Sequence, residues 1–195
     1  QLTEFDGKID YEVYITQNTG DATNYVREYC ENYQEEIRFY SCGGDGTLNE
    51  VVNGVVGFSN VAVACYPSGS GNDLIKVFGE RKDFLNFNDL INGLEKKVDV
   101  LKINDRYTLN ICNFGFDGVI ADNMSKFKRL PLVSGKGAYH LAMLYSILTK
   151  MKYECKIIVD GELFYDGLML LCALANGICY GGGYYCAPLA KVDDG

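Results

Sequence analysis

Glycine placement constrains this chain more than any other feature. Three glycine-rich runs each follow a stretch that reads as a strand: Gly43-Gly44-Asp45-Gly46-Thr47, Pro67-Ser68-Gly69-Ser70-Gly71-Asn72-Asp73 and Gly181-Gly182-Gly183. A strand delivers the chain to the carboxyl edge of a parallel sheet, where open α/β folds bind ligands. Glycine permits left-handed backbone angles and lets a ligand or a second backbone come close. A helix that follows offers free N–H groups and the positive end of its dipole. Such loops suit phosphate, and Thr47, Ser68 and Ser70 add hydroxyl donors. Asp45 and Asp73 would repel a bare phosphate. They make sense on a ribose hydroxyl, a substrate hydroxyl or Mg²⁺. Either run alone is read equally well as a tight turn with an Asp helix cap. Both together, after successive strands, favour phosphate binding. Neither is a general nucleotide motif: G-x-x-x-x-G-K-[ST], G-x-G-x-x-G, H-R-D and D-F-G are all absent.

The first half alternates strand and helix signals. Asp10 to Thr16 alternates apolar and polar residues as a strand does. Thr19-Gly20-Asp21 reads as a turn and cap before a helix over Ala22 to Tyr33. Ile37 to Cys42 reads as a strand, Leu48 to Val56 as a helix, and the wholly apolar Val61 to Tyr66 as a strand covered on both faces. Helices are expected over Asn72 to Phe78 and Phe84 to Leu94. This order predicts a parallel sheet with helices on its faces. In the second half, strands are expected over Val98 to Asn104 and Tyr107 to Asn113, around an Asn104-Asp105 turn. Two more, Tyr153 to Val159 and Leu163 to Ala175, flank Asp160-Gly161, a strong hairpin signal. One helix, Gly137 to Met151, interrupts them. The boundary is placed near Lys96-Lys97, giving an α/β domain over 1–96 and a mostly β domain over 97–195.

The 195 residues carry 18 Lys plus Arg against 26 Asp plus Glu, a net charge of −8. That balance disfavours a sequence-independent nucleic-acid binder, which needs a cationic footprint, and a purely electrostatic membrane binder. The longest apolar run, Leu168 to Ala175, is far short of the roughly 20 residues of a membrane-spanning helix. No signal peptide is visible. The eight cysteines show no C-x-x-C spacing and several lie in strand-like runs, so they read as reduced thiols of a cytoplasmic protein. The single histidine, His140, falls in the helical stretch and reads as a packing or surface residue, which leaves Ser-His-Asp and Cys-His mechanisms little support.

Gly43 to Val55, G-G-D-G-T-L-N-E-V-V-N-G-V, followed by P-S-G-S-G-N-D over Pro67 to Asp73, resembles the diacylglycerol kinase catalytic domain, the lipid-kinase family that includes bacterial diacylglycerol kinases and sphingosine kinases. Lys97-Val98-Asp99, Asn110 to Gly115, Tyr180 to Pro188 and Lys191 to Gly195 extend the resemblance over nearly the whole chain. It implies an N-terminal α/β domain like that of phosphofructokinases and NAD kinases, with a parallel sheet, followed by a mostly β sandwich domain. It implies ATP as phosphate donor and a lipid hydroxyl, of diacylglycerol or a related lipid, as acceptor. Gly43, Gly44, Asp45, Gly46 and Thr47 would line the nucleotide, with Gly69, Ser70, Gly71 and Asn72 on the opposite wall and Glu50 bracing the first motif. Asp73 and Asp99 would belong to an acidic network associated with Mg²⁺, and Asp194 matches an aspartate that holds Mg²⁺ in the β-rich domain.

Two family elements are not seen. An N-P-x-S-G loop on a first strand does not precede Asp10, and the Asp-Gly-Glu that carries the family's catalytic base is expected past Gly195. The Asp160-Gly161-Glu162 that is present corresponds to a turn. Among visible residues Asp73 stands nearest as a substitute base. On this reading the chain is a piece of a longer protein that lacks its first strand and last strands. Exposed sheet edges make a homodimer an expectation.

The lipid acceptor implies peripheral contact with a membrane surface. Lys126, Lys128 and Arg129 around Phe127, then Leu130-Pro131-Leu132 and Lys136, read equally as an interfacial patch and as a solvated loop. Two other functions stay open. A soluble nucleotide kinase of the NAD kinase sort shares G-G-D-G-T but should carry a different second motif. A non-catalytic nucleotide- or lipid-binding regulator fits the absent base.

Overall fold

The structure, a computed structural model, describes residues 2–5, 7–116, 118, 123, 141–142, 144–146 and 152–195. The chain forms two compact units, one of Gln1–Ile111 with Ala175–Gly195, the other of Cys112–Leu174. The interfacial candidate over 125–136 and His140 lie outside the described residues.

The first unit is built on a strand–helix–strand crossover. Strand β1 (Ile37–Gly43) pairs in parallel with β2 (Val61–Pro67), Ile37 opposite Val61 and Gly43 opposite Pro67. Helix α2 (Asp45–Val55) makes the connection, and helix α1 (Asp21–Asn32) packs on it. In α1 the residues Ala22, Val26 and Cys30 recur every four positions and are all buried, which gives the helix one apolar stripe. That stripe meets Val51 of α2, with Ile37, Phe39, Val61 and Val63 of the strands against it. Close approach is permitted by Gly54, where a Cβ would stand 2.6 Å from a Val26 methyl. The other side of α2 and β2 buries Leu48, Val52 and Cys65 with Leu74 and Ile75. Each such side chain contributes about 1.5–3 kcal/mol on leaving water. Arg27 caps the far end of α2: its guanidinium donates to the carbonyls of Asn53 and Val56 and lies over the Phe58 ring.

Several expectations shift. Asp10 to Thr16 lies on the surface and pairs with no strand among the described residues. Its side chains pack instead on α1: Tyr14 stacks on Tyr25 with ring centroids 3.7 Å apart and donates to Asp21, while the Tyr25 hydroxyl donates to Glu12. Burial first, and then Glu12, push the Tyr25 hydroxyl up to about 12. The helix expected over Asn72 to Phe78 is a single 3-10 turn, Leu74–Val77. Asn72 stands at φ +49°, outside helical space, and its N–H is given to Asp45. The stretch from Phe84 to Leu94 yields a 3-10 turn, Arg81–Phe84, and a short helix α3 (Phe87–Ile91), because Asn86 caps a new start by accepting the Asn88 N–H.

The strand expected over Val98 to Asn104 shortens to β3 (Leu101–Ile103), which turns through left-handed Asn104 into antiparallel β4 (Arg106–Thr108). Tyr107 to Asn113 is thus two strands, β4 and β5 (Ile111–Gly115). They break at Asn110, whose carbonyl accepts the N–H groups of Asn176 and Gly177. The Asn176 side chain, itself buried, donates to the carbonyls of Asp99 and Leu109 and ties the returning chain down. It then runs through β9 (Cys179–Tyr180), a glycine turn and β10 (Tyr184–Tyr185).

In the second unit β6 (Tyr153–Val159) pairs antiparallel with β7 (Glu162–Met169). Asp160 and Gly161, at φ +53° and +86°, form the expected turn, so this Asp-Gly-Glu is hairpin geometry. The run from Leu163 to Ala175 divides at Leu170 into β7 and β8 (Leu171–Ala175), which pairs with β5. The Leu170 carbonyl accepts the Phe116 N–H, and left-handed Gly115 passes it so closely that a Cβ would stand 2.7 Å away. Of the stretch from Gly137 to Met151, residues 141–142 and 144–146 are described and helical. Among the described residues no helix is long and apolar enough to cross a membrane.

Candidate functional site

The two glycine loops of the crossover close on each other in the first unit. Gly43 ends β1, and its carbonyl accepts three donors from the second loop: the N–H groups of Ser68 and Gly69 and the Asn72 side-chain amide, at 2.9–3.1 Å. Gly44 begins α2 without any side-chain cap, so the first amides of the helix keep no partner from a capping side chain. Gly69 lies against it: a Cβ at Gly69 would collide with the Gly44 Cα. A Cβ at Gly43 would collide with Thr47. Gly46 faces open space, and Ser68 and Ser70 are exposed.

Asp45 fastens the loops together. Its Oδ2 accepts the Asn72 N–H at 2.8 Å and its Oδ1 the Asp73 N–H at 2.7 Å. The carboxylate thus faces the second loop and takes over two backbone donors there. Asn72 is buried, and its Oδ1 has no hydrogen-bond partner among the described residues.

Asp73 is buried at 3 % exposure. Its Oδ1 accepts from Lys76 Nζ at 2.5 Å, and its Oδ2 from the Gly182 N–H at 2.7 Å. Burying a carboxylate is costly unless it is paired and hydrogen-bonded, and both conditions are met. The partner loop Gly181-Gly182-Gly183 stands at φ +64°, +87° and +122°, backbone that only glycine adopts freely in succession. A Cβ at Gly71 would stand 3.8 Å from the Gly182 Cα and one at Gly183 3.5 Å from Lys76 Nζ, so the second and third glycine runs meet. Burial works against the Lys76 charge, but the hydrogen bond and charge of Asp73 outweigh it and hold the ammonium's pKa above the ordinary lysine value. Cys179, fully buried, points its sulfur at Asp73, and burial followed by that carboxylate pushes its thiol up.

Of the remaining expected residues, Glu50 offers its carbonyl to the Thr23 hydroxyl and so joins α2 to α1. Asp99 accepts the Gly195 N–H on Oδ2, and its own N–H donates to the Val192 carbonyl. The neighbouring Lys96 pairs with Asp193, whose carboxyl it holds below the usual range. Asp194 is exposed. No three His, Cys, Asp or Glu side chains among the described residues gather closely enough to hold a metal. Asp73 spends both oxygens on protein donors and Asp99 one. As arranged, Asp73, Asp99 and Asp194 do not form a metal-ligand set of their own.

Sequence reasoning named all three glycine runs but gave a role only to the first two, and it passed over Lys76. The signal for Lys76 was its position three residues after Asp73, one turn along the chain. The signal for the third loop was its own three glycines after a strand.

The second unit carries an open hollow of about 500 Å³ lined by Asn113, Phe114, Gly115, Tyr153, Cys155 and Met169 among others. Asn113 Oδ1 is buried without a hydrogen-bond partner among the described residues.

Comparison with known proteins agrees with this architecture. Residues 5–103 match the diacylglycerol kinase catalytic domain, and residues 110–195 match the YegS C-terminal NAD kinase beta sandwich-like domain. The chain is 33 % identical over 187 residues to a diacylglycerol kinase of Bacillus subtilis, covering 93 % of this chain and 59 % of that protein. It is 35 % identical over 196 residues to a diacylglycerol kinase of Staphylococcus aureus, covering 96 % and 59 %. A crystal structure of a diacylglycerol kinase from Bacillus anthracis superposes with a TM-score of 0.69 at 29 % identity, over 95 % of this chain and 60 % of that one. The chain spans 55–59 % of the length of the curated relatives it matches. By the match of residues 5–103 and the two glycine loops they contain, the chain belongs to the diacylglycerol kinase catalytic domain family.

Proposed function

We propose that the protein is an ATP-dependent lipid kinase, which transfers the γ-phosphate of ATP to the hydroxyl of diacylglycerol or a related lipid at a membrane surface. The observation that carries this reading is the interlock of the first two glycine loops through Gly43, Asp45 and Asn72. Phosphoryl transfer asks mainly for in-line positioning and neutralisation of phosphate charge. The glycines of the interlocked loops let phosphates approach the main chain, and the uncapped start of α2 offers them amides and a positive dipole end.

Gly43, Gly44, Gly46, Thr47, Gly69, Ser70 and Gly71 form the wall on which we place the nucleotide. Asp45 acts from behind that wall, holding the second loop at its correct distance. Asp73 has both oxygens accepting protein donors, so neither is left open toward an attacking hydroxyl. We assign that proton to another group. Mg²⁺, when bound, would neutralise phosphate charge. Its ligands would come chiefly from phosphate and water, with at most the exposed Asp194 and the second oxygen of Asp99 to add from this chain. The largely apolar hollow beside Phe114, Tyr153 and Met169 suits the apolar part of a lipid acceptor.

The test is transfer itself. The protein is incubated with ATP labelled on the γ-phosphate, Mg²⁺ and mixed-lipid micelles, then extracted with organic solvent. Label in the organic phase is expected. Label on NAD in the aqueous phase would establish a soluble nucleotide kinase instead, and nucleotide binding without transfer a regulator.

A further inference from the structure

We infer that Lys76 is the phosphate-binding cation of this site, held in place for that task by Asp73. This rests on the nucleotide reading above. An ammonium has three donors. One goes to Asp73 Oδ1, the only hydrogen-bond acceptor given to Lys76 among the described residues. The side chain keeps 26 % of its surface, so two donors remain for an incoming acceptor.

The surroundings favour an anion of some bulk. Lys76 Nζ stands where the second and third glycine runs meet. A Cβ at Gly183 would meet Lys76 Nζ alone and one at Gly182 nothing within 4 Å, while Cys179 and Tyr185 are near enough to favour the ammonium's charge. The paired carboxylate is buried and already has its second oxygen on the Gly182 N–H, so it cannot swing out to compete with a ligand. Asp73 therefore fixes the ammonium beside the glycine turn. A lysine so placed serves phosphate as a point charge. The chain carries no G-x-x-x-x-G-K-[ST] lysine, and Lys76 supplies that chemistry from the far end of the second loop. The ligand class is a nucleoside di- or triphosphate, met at a phosphoryl oxygen.

The experiment is calorimetric titration of the protein and its Lys76 variants with ATP, ADP and adenosine at low and high salt. Lys76→Met is expected to weaken ATP and ADP by about 10- to 100-fold, as loss of a charge-assisted hydrogen bond does, and to leave adenosine unchanged. The salt dependence of ATP binding should flatten, and Lys76→Arg should restore most of the affinity. Lys76→Met leaves a buried carboxylate without its cation. If it unfolds, the double variant Asp73→Asn with Lys76→Met removes both charges, and it is expected to fold and show the same selective loss. Unchanged ATP binding in either folded variant would overturn the inference and leave the nucleotide reading standing. So would an equal fall for ATP and adenosine, the mark of a purely structural role. A wild-type protein that shows no preference for ATP over adenosine would overturn both.

Discussion

Gly44 and Gly69 touch main chain to main chain, and the contact leaves no room for a side chain on the second of them. A Cβ at Gly69 would run into the Gly44 Cα, whereas one at Gly44 would stand 3.3 Å from the Gly69 Cα, a tight but adjustable distance. Neither glycine has a positive φ, so the demand at this crossing is for space and not for a left-handed backbone. Gly69→Ala is therefore expected to cost about 1–3 kcal/mol, as overpacking does, and to loosen the second loop. Gly46→Ala, in the first turn of α2 with open space around it, should be neutral or slightly stabilising. Urea unfolding of the two variants decides the matter, and a Gly69→Ala midpoint equal to wild type would refute the close crossing.

Asp45 uses a different oxygen for each of two backbone donors. An amide has only one acceptor oxygen and turns its NH₂ toward the other donor. Asp45→Asn should thus lose one charge-assisted bond and gain a donor–donor clash, a loss of about 1.5–3 kcal/mol. ATP affinity should fall with it, because the second loop is no longer held. Stability at the wild-type level would show that the clamp does not act.

Asn53 joins α2 to β4. Its Nδ2 donates to the Tyr107 carbonyl and its Oδ1 accepts the Tyr107 N–H, each at 2.8 Å. Asn53→Ala removes both and leaves a partly buried peptide group unpaired, at an expected cost of about 2–3 kcal/mol in denaturant unfolding. Asn53→Asp should also destabilise, since a carboxylate oxygen then faces the Tyr107 carbonyl. A variant as stable as wild type would mean that water replaces Asn53 without loss.

Cys65 gives the fold a dependence on alkaline pH. Burial, then Asp45 and Cys42, push its thiol up to about 11 from an ordinary 9.0. Below pH 9.0 the thiol is protonated in the folded and unfolded chain alike. Between 9.0 and about 11 the unfolded chain gives up the proton first, so stability is lost as pH rises through that window. The loss attributable to Cys65 is about 1–3 kcal/mol. It is read as the difference in pH slope between wild type and Cys65→Ala. Parallel slopes would contradict the raised value.

The crossover around Gly43 and the Asp160-Gly161 hairpin were legible because each is written in local chemistry. Apolar runs of strand length stop at glycines, and an Asp-Gly pair sits between two alternating stretches. The ends of helices were less legible. Asn72 to Phe78 has helical composition, but Asn72 leaves helical space to give its N–H to Asp45, a partner 27 positions earlier. The strand over Asp10 to Thr16 alternates correctly, yet a strand is defined by a neighbour, and none pairs with it among the described residues. The meeting of the first two loops followed from their glycines. The roles of their acids did not: Asp45 and Asp73 looked free to meet a ligand or a metal, and both are bound to protein donors. Such commitments depend on which distant amides arrive beside a carboxylate, and no local pattern records them.

The hydrogen bond from Gly182 to Asp73 spans 109 positions of chain. During synthesis the parallel pair of β1 and β2 is complete long before that glycine is made. At roughly 5–20 residues per second, Asp73 and Lys76 wait about 5–20 seconds for the turn that encloses them. Through that interval the carboxylate is open to water, and the second glycine run is fastened from one side only. A nascent chain halted before Ala175 should then be cut by protease near Asp73, while the released chain resists. The turn that encloses Asp73 is thus made long after the two loops it closes on.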